Sequence, residues 1–183
     1  LSATGNSNVI TTTCGTAVAA SCSGSAITQT ITGDGNILTQ TLGAGANHTS
    51  NLTVTGDTNT VTHTSTNTGS VNMHYTVAGD TNTVKLAMKM ALGTARYASG
   101  QIAKNSPQNV AVSTPTATVA VRGTDFSMTV DELGRSLVML LPSCDANACV
   151  TGVIEVFNDV GRVTLTQAYQ ATQVNSRSLP PSQ

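Results

Sequence analysis

Over the first ninety residues, apolar and polar positions alternate in short stretches, as in Leu52-Thr53-Val54-Thr55 and Tyr75-Thr76-Val77. Alternation of this kind is the pattern of a half-buried strand, with Thr tolerated on the pleated outer face. The density of Thr, Gly and Asn excludes a helix. The stretches also repeat. Ile31, Val54 and Val77 form one column at a 23-residue period, Leu38, Val61 and Val84 a second, and Gln29, Leu52 and Tyr75 a third. Turn phrases keep the same period: Gly33-Asp34-Gly35-Asn36, Gly56-Asp57-Thr58-Asn59 and Gly79-Asp80-Thr81-Asn82. A looser turn follows in each unit, at Gly43-Ala44-Gly45-Ala46-Asn47 and Gly69-Ser70-Val71-Asn72. A period of this length marks a solenoid. Each unit therefore predicts strand, turn, strand, turn as one rung, with rungs about 4.8 Å apart. An imperfect earlier unit starts at Gly5-Asn6-Ser7-Asn8 and is five residues longer, the excess lying near Cys14 to Cys22. Three to four rungs are expected, fading after Met90.

Stacking gives the repeated turn residues specific roles. Gly33, Gly56 and Gly79 supply positive φ at a corner. Asn36, Asn59 and Asn82 can hydrogen-bond up the stack as an amide ladder. Asp34, Asp57 and Asp80 form a row of carboxylates, which reads either as a site for cations such as calcium or as solvated turn positions bonding their own backbone. His48, His63 and His74 fall at different places in the unit, so they read as exposed or structural residues and not as metal ligands.

From about residue 93 the texture changes. Pro and charged residues appear, and all eight Lys and Arg lie at or beyond Lys85. Val119, Val121, Phe126, Met128 and Val130 alternate with polar residues, Leu137 to Leu141 is a short apolar strand, and Val153 to Phe157 and Val163 to Leu165 alternate again. Turn phrases at 131–134 and 158–161 separate them. The whole chain is thus expected to be all-β: a β-solenoid with 23-residue rungs over 1–92, a small β domain over 93–175, and a Pro-rich tail at 176–183. An ordered tail needs a tether, and a neighbouring subunit is the expected one.

Composition narrows the function. Charged residues are 9% of the chain and the net charge is −1, too little positive surface for nucleic acid. No apolar run reaches the length of a membrane-spanning helix, and Leu1 opens no signal-peptide pattern, as in a processed mature chain. Four Cys allow three pairings. Proximity and small polar flanks favour Cys14–Cys22 and Cys144–Cys149, which implies an oxidising compartment. Arg122 and Asp125 read as a structural ion pair at a turn. No Ser, His and Asp phrase points to catalysis, so no enzyme and no cofactor are expected.

Two resemblances add to this reading. The Gly-x-x-Asn phrase with Ser25, Gln29, Gly33, Asn36, Leu38 and Gln40 resembles the curlin repeats of bacterial amyloid fibres, over about residues 1–92. The series Thr114-Pro115-Thr116-Ala117 and Arg122-Gly123-Thr124-Asp125-Phe126, followed by Gly152 to Asn158, resembles the FecR-type domain over about residues 93–174. That resemblance implies a small β module like the periplasmic segments of signalling regulators. Three functions follow as expectations. The first is an extracellular or cell-surface structural protein that assembles with itself through solenoid edges. Its variant is a tail, fibre or decoration protein of a bacteriophage particle. The other is a secreted or periplasmic ligand-binding or sensory module.

Overall fold

The structure is a computed structural model describing residues 1–14, 23–45, 47–98, 108–144 and 148–182. Its described residues are all-β, with no helix. The repeat forms a stack of two-strand rungs. Strands β1 (Ser2–Thr4), β3 (Ala26–Thr32), β5 (His48–Thr55), β7 (Val71–Ala78) and β9 (Gly93–Ala98) lie parallel in one sheet. Strands β2 (Val9–Cys14), β4 (Ile37–Gly45), β6 (Thr60–Asn67), β8 (Thr83–Met90) and β10 (Gln108–Ser113) lie parallel in the second. The periodic columns are the register itself. Ile31 pairs with Val54 and Val54 with Val77, and Leu38 pairs with Val61 and Val61 with Val84. All six side chains are buried between the sheets.

Stacking continues past Met90, where the sequence pattern fades. Val71 pairs with Ala95, and Val84 with Gln108. The offset has grown by one residue and the Gly-Asp-x-Asn corner is gone, so the fifth pair of strands carries no periodic signature. The remaining strands extend both sheets in antiparallel fashion. The first sheet adds β12 (Asp125–Val130), β13 (Ser136–Leu141) and β18 (Ala171–Val174), and the second adds β11 (Thr118–Arg122), β16 (Val153–Asn158) and β17 (Gly161–Leu165). A hairpin of β14 (Ser143–Cys144) and β15 (Cys149–Val150) lies between β13 and β16 in the chain. One apolar core runs from Ile31 to Val174 across residue 92.

The core changes character along the stack. Successive residues in one inward column are Thr12, Gln40, His63, Leu86 and Val110. The early rungs bury polar groups and the later ones apolar groups. Tyr75, Tyr97 and Phe126 form a buried aromatic column across the junction. Tyr97 lies 5.9 Å from Tyr75 and stacks on Phe126 at 5.5 Å.

At the repeated corner, the residue after Asn6, Asp34, Asp57 or Asp80 takes a left-handed conformation in each unit: Ser7 (φ 59°), Gly35 (φ 65°), Thr58 (φ 57°) and Thr81 (φ 57°). Only Gly adopts it without penalty, and a β-branched residue is strained there. Each Thr hydroxyl donates to the preceding Asp carbonyl at 2.7 Å. Thr58→Gly is therefore expected to leave stability within about 1 kcal/mol of the parent, because relief of the left-handed penalty offsets the lost hydroxyl bond and the greater unfolded-state freedom of Gly. Denaturant unfolding measures this, and a loss of more than about 2 kcal/mol would refute the strain.

Candidate functional site

The polar corner couples rung to rung by two ladders of opposite direction. In one, each Asn side chain accepts from the rung before it. The Asn8 N–H donates to Asn36 Oδ1 (2.9 Å), the Asn36 N–H to Asn59 Oδ1 (2.8 Å), and the Asn59 N–H to Asn82 Oδ1 (2.7 Å). Asn36, Asn59 and Asn82 are buried. In the other, each side chain accepts from the rung after it. The Asp34 N–H donates to Asn6 Oδ1 (2.9 Å), the Asp57 N–H to Asp34 Oδ1 (2.8 Å), and the Asp80 N–H to Asp57 Oδ1 (2.6 Å). The sequence reading had Asp bonding its own backbone. The Asp34 and Asp57 carboxylates bond the next rung, because stacking brings that N–H directly opposite. Asp34, Asp57 and Asp80 remain exposed. No group of three or more His, Cys, Asp and Glu side chains suited to a metal ion occurs among the described residues.

The three His separate by depth. His74 is exposed, whereas His48 and His63 are buried. His63 Nδ1 lies 2.6 Å from Gln40 Oε1 and 2.8 Å from the Tyr75 hydroxyl, and Ser50 donates to Gln40 at 3.0 Å. Burial pulls the His63 imidazole down to about 4 and holds the Tyr75 and Tyr97 phenols well above their usual range. His63 Nε2 and Gln40 Nε2 are buried without a hydrogen-bond partner. The signal for this cluster was available in the period, which places Gln40 and His63 at the same inward position.

The Arg122–Phe126 phrase is a crossing between sheets. Arg122 ends β11 in the second sheet and Asp125 begins β12 in the first. Gly123 turns the chain with φ 62°. The Thr124 hydroxyl donates to the Leu141 carbonyl at 2.7 Å, and Phe126 enters the core. The expected Arg122–Asp125 ion pair does not form, because the crossing sends the two residues into different sheets. The ion pairs among the described residues are Arg135–Asp131 (2.6 Å) and Arg162–Glu155 (2.9 Å). The Thr114-Pro115-Thr116-Ala117 phrase is a buried hydroxyl network. Ser136 donates to Thr114 at 2.8 Å and lies 2.8 Å from the Thr116 hydroxyl, while Thr114 Oγ1 takes the Ala117 N–H at 2.9 Å.

The tail is tied to its own chain. Arg177 Nε donates to the Pro115 carbonyl (2.7 Å), and Asn158 Nδ2 donates to the Leu179 carbonyl (2.6 Å). Ser182 and Gln173 exchange both backbone hydrogen bonds at 2.9 Å, and Pro181 is buried. These partners are backbone carbonyls and an edge strand, which no side-chain pattern in the tail reveals. A groove of about 210 Å³ lies here, lined by Thr114, Thr116, Asn158 and Arg177 among others, and the Thr114, Thr116 and Asn158 side chains there bond within the chain. Grooves of about 290 and 350 Å³ lie on the outer face of β5, β7 and β9 around Asn72 and Arg96.

Cys144 and Cys149 are joined across the β14–β15 hairpin. Cys14 is also disulfide-bonded, and Cys22 lies outside the described residues. No helix among the described residues is long and apolar enough to cross a membrane.

The sheets end in four terminal strands, of which β18 carries the Ser182 bridge. β1 and β18 end the first sheet, and β2 and β17 end the second. β1 and β2 carry no charged residue. Among known proteins, the FecR protein family model matches residues 40–141, from within β4 to the end of β13. The match thus starts among the rungs, well before residue 93. No curated protein and no solved structure matches the chain.

Proposed function

The chain belongs to the FecR protein family, and from its sheet topology we propose that it is a non-enzymatic structural module of an oxidising exterior. Copies join head to tail through the ends of the two sheets into a surface filament or matrix. The observation that carries this reading is sheet continuity. The stack ends in one strand of each sheet at both ends, β1 and β2 at one and β18 and β17 at the other. Unpaired edge strands template further strands, and charged residues, the usual deterrent, are absent from β1 and β2. A heterologous contact of this kind extends unless it closes.

The strand directions are compatible with that contact. In the first sheet β12 runs against β9, β13 against β12 and β18 against β13. β18 therefore runs opposite to β1. In the second sheet β11, β16 and β17 alternate in the same way from β10, so β17 runs opposite to β2. A second copy in the same orientation would form an antiparallel pair in both sheets at once.

Purified protein is expected to form elongated particles above a threshold concentration, seen by light scattering and negative-stain microscopy. Replacing Val9 and Thr11 together with Lys puts two charges on the outer face of β2, where both side chains are exposed. That variant should remain monomeric with an unchanged far-UV spectrum. A parent chain that stays monomeric at every soluble concentration would sink this reading. It would favour the second one, a ligand-binding or sensory module, which the family match supports.

A further inference from the structure

We infer that the β18 edge is a strand-accepting surface and that residues 176–182 cover it as a displaceable plug, in competition with β1 of a second copy. This rests on the head-to-tail reading above and names what regulates it. The Gln173 N–H donates to the Ser182 carbonyl and the Ser182 N–H to the Gln173 carbonyl, each at 2.9 Å, in an antiparallel bridge. The Thr172 hydroxyl adds a bond to the Ser182 carbonyl at 2.8 Å. Ser182 thus occupies the outer side of β18, and it runs there in the direction an incoming β1 must take. The seated segment is itself evidence that this edge takes an extended strand, the chemistry of β-strand addition.

The plug is short. One antiparallel bridge holds it on the edge, whereas β1 has three residues to offer and β18 has four to receive them. An incoming copy would also bring β2 to β17, where the tail packs Pro180 against Gly161 without adding a strand. A second copy therefore has more to gain at this end than the tail has to lose. The base of the tail is held outside the β18 edge by Arg177 to Pro115 and Asn158 to Leu179, so it can stay attached while Ser182 and the buried Pro181 leave together.

The test compares the full chain with a form lacking residues 176–183, and adds a fluorescent synthetic peptide of those residues as the probe. Three results are expected. The assembly threshold falls at least ten-fold in the truncated form, the size of two or three lost hydrogen bonds. The peptide binds the truncated form and not the full chain. Amide exchange at Gln173 is slow in the full chain and fast in the truncated one. Because Pro181 is buried, truncation can disturb folding. Ser182→Pro in the full chain, which removes the N–H and hydroxyl donors to the Gln173 carbonyl, should then shift the threshold and the exchange in the same direction. An unchanged threshold, no peptide binding and unchanged Gln173 exchange would overturn the plug while leaving the assembly reading intact. Peptide binding to the truncated form with no assembly of either form would support the covered edge and overturn self-assembly instead.

Discussion

Gly56→Ala is expected to destabilise the protein by about 4 kcal/mol, combining two penalties of about 1–3 kcal/mol each, backbone strain and overpacking. Gly56 has φ 126°, a conformation L side chains rarely adopt. A Cβ there would press on the Gly33 carbonyl and come within 2.8 Å of Asp34 Oδ1. Neither neighbour can retreat cheaply. The Gly33 N–H is bonded to the Thr55 carbonyl at 2.9 Å, and Asp34 Oδ1 holds the Asp57 N–H at 2.8 Å. Relief would mean parting the two rungs at their tightest corner. Gly24→Ala is the control, since that Gly also has positive φ but nothing within 4 Å of its Cβ position. Its expected cost is about 1–2 kcal/mol, from backbone conformation alone. Denaturant midpoints of the two variants decide the matter. Equal losses would show that the corner does not depend on close approach.

That corner was legible in the sequence for the same reason it is intolerant. Every rung must offer the next one a Gly for clearance, an Asp or Asn for the backbone N–H, and a buried Asn amide. Stacking therefore imposes identity at a fixed interval, and Gly33, Gly56 and Gly79 or Asn36, Asn59 and Asn82 stand out without any structure. The inward columns were legible too, because a strand slipped by one residue would turn Leu38, Val61 and Val84 outward. The β9–β10 rung was hidden. It keeps the stacking but not the corner, and the only trace is an aromatic at Tyr97 opposite Met73. The antiparallel strands announced themselves by alternation, but not their division between two sheets. That division decides the fate of Arg122 and Asp125, which are close in sequence and part company at Gly123. Tail docking was invisible for a different reason: its partners are backbone groups of Pro115 and Gln173, which every residue possesses. The edge strands carry the proposed function, and composition hinted at them through the absence of charge before Lys85 apart from the Asp column. Which strands end the sheets is a property of the fold alone.

Acidification from pH 7 to pH 4 is expected to remove about 3 kcal/mol of stability through His63 alone. The side chain is 1% exposed, and burial lowers its pKa from 6.5 to about 4. Its recorded partners, Gln40, Tyr75 and the ring edge of Tyr75 at 5.7 Å, offer no carboxylate to stabilise a cation. The neutral ring is thus favoured in the fold, while the unfolded chain protonates near 6.5. Above that value neither state takes up a proton, and the contribution is complete. Below it the unfolded chain binds a proton that the folded one refuses, so stability falls as pH drops toward 4 and levels off beneath it. The same column holds Leu86 in the next strand of the sheet, so an apolar side chain suits the position. His63→Leu should lose the Gln40 and Tyr75 bonds yet flatten the pH dependence between 7 and 4 by about 3 kcal/mol relative to the parent. Unfolding titrations of both proteins at pH 7, 5.5 and 4 give the comparison, with remaining His and carboxylate effects common to the two. Parallel curves would mean that water reaches the imidazole and that the polar interior of the early rungs is not dry. A flattened curve would assign the acid sensitivity between pH 7 and pH 4 to the buried imidazole of His63.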